Sequence, residues 1–191
     1  LAEMKSCYAV CPIVYKGKDC VLAAPEGHGA AKLFYLVFEK DREGNAGEKC
    51  ETDALAWETL WREPGGTLSI VPLNKKEWGV FLATQNSFPA FDAKHAVLVR
   101  GKYYEDAGWV ITPFLHMPYL HRFDIIRKNG EEYLVLCTLC DEKADVDDWS
   151  SPGRVLVGTL SGVIEGNEKP TCIMEGMKRN HGFCCMGDRV L

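Results

Sequence analysis

His121-Arg122-Phe123-Asp124-Ile125-Ile126, a polar turn at Lys128-Asn129-Gly130-Glu131, then Tyr133-Leu134-Val135-Leu136-Cys137-Thr138-Leu139: this stretch decides the fold. It reads as two β-strands bounded by an Asn-Gly turn signal. The second strand is apolar without interruption, which suits a sheet covered on both faces. The opening motif returns 60 residues later as His181-Gly182-Phe183. Each copy follows an apolar segment, Trp109 to Leu115 before the first and Cys172 to Met177 before the second. Repetition at a fixed period is the mark of a modular fold.

Earlier copies fall in phase. Thr67-Leu68-Ser69-Ile70-Val71-Pro72 stands 55 residues before, counted from Leu68 to Phe123, and Tyr8-Ala9-Val10-Cys11-Pro12 about one period earlier again. Polar turns follow at Tyr15-Lys16-Gly17-Lys18 and Asn74-Lys75-Lys76-Glu77. Strongly apolar second strands come next, Cys20 to Ala24 and Trp78 to Thr84. Third strands are expected at Lys32 to Val37, Ala96 to Arg100 and Arg154 to Gly158, and fourth strands near Leu55 to Trp61, Trp109 to Leu115 and Cys172 to Met177. Glu51 to Arg62 also has the spacing of a short helix, but its place in the repeat favours a strand.

Four short strands per unit, with the inner ones buried on both faces, describe an all-β β-propeller of four-stranded antiparallel blades. The blades are expected at about 6–61, 67–115 and 121–177, with the first strand of a fourth at 181–191, all in one partial propeller domain. Propellers close with roughly four to eight blades. An open edge then calls for cover by the missing remainder of the polypeptide, by another chain or by a symmetry copy. The first residue is Leu1, not Met, as in a trimmed or partial chain.

Apolar residues make up 47%, enough for a sizeable core, and the net charge of -5 comes without any basic block. Neither a nucleic-acid surface nor a membrane span is expected. The nine cysteines are odd in number and no apolar signal core opens the chain, so reduced thiols in a cytoplasmic protein are expected. Cys137 and Cys140 have metal-pair spacing, but on a strand an offset of three points them to opposite faces.

The unit beginning at His121 resembles an FG-GAP or VCBS-type propeller repeat. Those repeats carry an Asp-rich calcium turn; Arg127-Lys128-Asn129-Gly130 keeps the glycine and lacks the carboxylates that a hard cation needs. Asp147-Asp148-Trp149-Ser150-Ser151-Pro152-Gly153 and Asn180-His181-Gly182-Phe183 resemble the propeller part of aldos-2-ulose dehydratase-like proteins. The resemblance implies a lyase or isomerase acting on keto-sugars by elimination and isomerisation, with metal ions.

His121 and His181 share one repeat phase, and first strands line the axis of a propeller, so the two imidazoles are expected to face each other there. They are the candidate ligands of a divalent metal ion and, with Arg122, the candidate catalytic residues. Such a metal would polarise a sugar carbonyl while a base removes the adjacent proton. Arg122 would hold a hydroxyl or carboxylate in its fork. The plainer reading is that both His bond to carbonyls between blades. Trp149, Asp148 and His116 are the candidate substrate-binding residues, Trp149 stacking on a sugar face and Asp148 taking its hydroxyls. The alternative for that stretch is a solvated acidic loop. A non-catalytic module binding a carbohydrate or a protein, through Trp149 and Phe88 to Phe91, is the competing reading of the whole chain. His28 and His95 read as surface-loop residues.

Overall fold

The computed structural model describes residues 4–37, 54–73, 79–186 and 189–190. The expected turn at Asn74 to Glu77, as well as Cys50 and Trp78, lie outside the described residues. Strands pair in chain order. β1 (Cys7–Tyr15), β2 (Lys18–Pro25), β3 (Ala31–Val37) and β4 (Ala54–Trp61) form one antiparallel sheet. β5 (Ile70–Pro72), β6 (Val80–Gln85), β7 (Val97–Tyr104) and β8 (Gly108–His116) form a second. β9 (Leu120–Lys128), β10 (Glu131–Thr138), β11 (Gly153–Thr159) and β12 (Thr171–Met177) form a third. A short hairpin of β13 (Cys185–Met186) and β14 (Arg189–Val190) follows. Within the Glu51 to Arg62 segment, Ala54–Trp61 is therefore strand.

Local chemistry sets the hairpins. Asn129 and Gly130 both take positive φ, 54° and 83°, between β9 and β10. That pair of angles matches the right-handed twist of the flanking strands, and Asn-Gly adopts it most readily. Lys16 and Gly17 do the same between β1 and β2, at 49° and 72°. A Cβ on either glycine would meet nothing within 4 Å, so the dihedral alone selects glycine.

The sheets stack in chain order, and the middle one is buried on both faces. Phe81, Ala83 and Val99 face the first sheet and join Cys11, Ile13, Tyr15, Leu22, Leu33 and Trp61 in one core. Leu82 and Leu98, on the alternate positions, join Leu120, Phe123, Leu134, Leu136 and Leu156 in a second core toward the third sheet. Every residue of β6 is buried. Each fully buried Leu or Phe contributes about 1.5–3 kcal/mol by leaving water.

Two expectations shift, and one element is new. The regular ladder of β5 starts at Ile70, not at residue 67: the Ser69 carbonyl still accepts from the Thr84 N–H at 3.0 Å, but the Leu68 and Ser69 N–H groups donate to Thr84 Oγ1, at 2.8 and 3.2 Å. Residues 181–184 have no regular structure, and the following strand is Cys185–Met186. A five-residue helix, α1 (Leu160–Ile164), follows β11 and buries Leu160 and Val163. No helix among the described residues is long and apolar enough to cross a membrane.

Candidate functional site

The first strands of the three sheets share one open groove. Its walls are Tyr8 to Pro12 of β1, Leu68 to Pro72 around β5, and Arg122 to Asp124 of β9, enclosing about 430 Å³. At the same end of β1 and β9 the pairing slips by one residue. Ala9 pairs with Ala24 while Cys7 pairs with Pro25, which leaves Tyr8 extra. Arg122 pairs with Cys137 while Leu120 pairs with Thr138, which leaves His121 extra. A bulge of this kind re-aims a side chain without ending the strand. At the matching place in the second sheet, Thr84 takes the backbone N–H groups of Leu68 and Ser69.

Arg122 crosses the groove. One guanidinium nitrogen donates to the Leu68 carbonyl and lies 3.5 Å from Ser69 Oγ; the other donates to the Tyr8 hydroxyl at 2.8 Å. The guanidinium also lies 5.2 Å from the Tyr8 ring centroid. One side chain of the third sheet thus bonds to β1 and to the segment entering β5. Asp124 adds a carboxylate on the same wall, and Ser69 a hydroxyl.

His121 and His181 do come together. Their ring centroids are 4.9 Å apart with the planes at 85°. His121 is only 5% exposed, and neither ring nitrogen has a hydrogen-bond partner among the described residues. Burial, and then the Arg122 charge and His181, hold its pKa down to about 4, so the ring is neutral at neutral pH. His181 is exposed. No protein-family model, curated protein or solved structure gives a significant match to the chain. The site is therefore read from its own geometry.

Imidazole nitrogens are good ligands for a divalent transition metal, and the unpartnered nitrogens of His121 suit that use. Catalytic zinc sites use three protein ligands. No group of three or more His, Cys, Asp or Glu side chains is gathered around a common point among the described residues. The described residues thus bring two imidazoles together and do not complete a metal centre by themselves.

The other expected site residues lie elsewhere. His116 is exposed at the end of β8, opposite Val97. Asp148 organises its own loop, accepting from Ala144 N–H at 3.0 Å and Ser150 N–H at 2.9 Å. The Ser150 hydroxyl and those two N–H groups bring its pKa down to about 2. Asp145 accepts from the N–H groups of Asp147 and Asp148. Trp149 is half-buried, with Lys143 Nζ 3.4 Å from its ring centroid and the Arg179 guanidinium 4.9 Å away. Its ring is thus engaged by two cations. His28 is exposed and pairs with Glu63 at 3.7 Å; His95 is exposed.

Cys137 donates to the Asn180 carbonyl at 3.4 Å, and Cys140 lies in the core between the second and third sheets. Burial pushes the Cys137 thiol up to about 12 and those of Cys11 and Cys140 up to about 11, so all three stay protonated at neutral pH. Sequence reasoning missed Tyr8, Ser69 and Asp124 as groove residues. The signal was present: each is a polar group in a first-strand segment already marked by the repeat.

Proposed function

We propose that the three sheets are consecutive blades of an incomplete β-propeller, and that the groove between their first strands binds a carbohydrate or related polyol without turnover. One observation carries this reading: all three first strands line a single groove that presents hydroxyl, carboxylate and guanidinium groups together. Such a mixture matches the alternating donors and acceptors of a sugar. The outer face of the first sheet supports the propeller part. Pro12, Val21, Phe34 and Trp57 sit side by side across its four strands. Val21 and Trp57 are 42% and 46% exposed there, a face of the kind that a further blade covers. That blade comes from the remainder of the polypeptide or from another chain.

The test is a calorimetric titration with a panel of hexoses, ketohexoses and uronic acids. Saturable binding by at least one sugar, weakened about tenfold by Asp124→Ala with Ser69→Ala, is the expected result. Failure of every sugar to bind at about 10 mM would overturn it.

A second reading, metal-assisted elimination or isomerisation of a keto-sugar, is favoured by the unpartnered nitrogens of His121. It requires ligands beyond those described. Elemental mass spectrometry of protein purified without added metal or chelator separates the two. A near-stoichiometric transition metal, lost in both His121→Ala and His181→Ala, would replace the non-catalytic reading with the enzymatic one.

A further inference from the structure

The second sheet carries a cationic pocket that the groove does not use. Arg100 and Lys102 are two residues apart on β7, so both project from the same face. Across the ladder Arg100 stands opposite Thr112 of β8, and Lys102 opposite Val110. Together with Tyr104, Phe114 and Ile164 of α1 they line a pocket of about 180 Å³. It lies on the β7–β8 side of the sheet, whereas the groove lies on the β5 side.

The electrostatics of this pocket are one-sided. Two of its lining residues are cations and none is acidic, although the chain as a whole carries -5. Arg100 Nε is shielded from solvent and has no hydrogen-bond partner among the described residues. Arg100 is half-buried, and the Lys102 ammonium on the same strand face adds a like charge beside it. Lys102 Nζ lies 5.1 Å from the Tyr104 ring centroid, which steadies the cation without supplying a counter-charge. The remaining walls, Val110, Phe114 and Ile164, are apolar.

We propose that this pocket binds the oxyanion of a small amphipathic molecule, a carboxylate or a phosphate monoester. Arg100 meets two of its oxygens with its planar fork, Lys102 adds a point charge, and the Thr112 hydroxyl donates a further hydrogen bond. The apolar part of the ligand rests on Val110, Phe114 and Ile164. Such a ligand relieves the repulsion between the two cations. The proposal is independent of the carbohydrate reading of the groove.

Three probes test it by titration followed by NMR: benzoate, phenyl phosphate and inorganic phosphate. Benzoate, phenyl phosphate or both saturate, and inorganic phosphate, lacking an apolar part, binds more weakly. Arg100→Gln weakens binding about tenfold or more, Arg100→Lys less, and added salt weakens it further. Tighter binding of benzoate assigns a carboxylate ligand; tighter binding of phenyl phosphate assigns a phosphate ester. If Arg100→Gln loses the native fold by near-ultraviolet circular dichroism, Lys102→Gln combined with Thr112→Val carries the test instead. Unchanged affinity in the folded variant, or no saturation by any probe, overturns the proposal.

Discussion

The middle sheet meets its two neighbours through different chemistry. Toward the first sheet the contact is aromatic: Trp61 stacks on Phe81 at 5.9 Å, and Trp109 lies 5.4 Å from Tyr15 and 5.7 Å from Phe81. Toward the third sheet it is aliphatic, centred on Leu82, Leu98, Leu120, Leu134 and Leu136. Ring pairs add about 0.5–1.5 kcal/mol each beyond the area they bury. They also bring polar atoms inside: Trp109 Nε1 is buried without a partner among the described residues. The aromatic side needs room as well. A Cβ on Gly101 would stand 2.2 Å from the Phe81 ring. The aliphatic side carries one such atom as well, the Tyr119 hydroxyl, and otherwise depends on filling space completely. Two faces of one sheet thus reach equal burial, one by shape and ring geometry, the other by packing density.

The largest effect is expected on the aliphatic side. Leu136→Ala removes a fully buried side chain and should cost about 2–5 kcal/mol in urea denaturation. A loss well below that would mean the third sheet collapses onto the cavity, and the contrast between the faces would fade. A buried polar position outside both cores gives the next effect. His121 titrates at about 4 in the folded chain against an ordinary 6.5, so protons bind preferentially to the unfolded chain. The neutral ring is tolerated fully above pH 6.5; stability then falls as pH drops toward 4 and levels off below, by up to about 3 kcal/mol. Denaturation curves of the native chain and of His121→Gln should diverge over that window, and parallel curves would remove His121 as the cause.

On the aromatic side, Gly101→Ala should cost about 1–3 kcal/mol by overpacking. Phe81→Leu should restore part of that loss in the double variant, which a backbone effect at Gly101 would not allow. Smallest of all, Arg127→Gln breaks an exposed cross-strand ion pair with Glu132 that touches neither interface. Its melting temperature should reflect no more than about 0.5 kcal/mol.

Strand order was legible because its signals are local. Continuous apolar runs such as Val80 to Ala83 mark strands covered on both faces, and Asn129-Gly130 marks the turn by its dihedral preference. What escaped was tertiary. The hydroxyl of Thr84 captures two backbone donors and shortens β5, which no periodicity reveals. The helix at Leu160–Ile164 is too short for a 3.6-residue pattern, and Glu168 holds its entry by accepting from the Thr159 N–H at 3.1 Å. The rings of His121 and His181 do meet, as their shared repeat phase led one to expect, although His181 stands in a segment without regular structure and not on a first strand. The Arg122 contact with Tyr8 spans 114 positions and follows from the stacking of whole sheets, not from any motif.

That contact has a consequence for how the chain comes apart. Arg122 ties the first strand of the third sheet to Tyr8 at the start of the first and to Leu68 beside the second. Opening the third sheet must break both bonds, and opening the first or the second must break one of them. Amide exchange near Tyr8, Leu68 and Arg122 is therefore expected to be coupled through the Arg122 side chain.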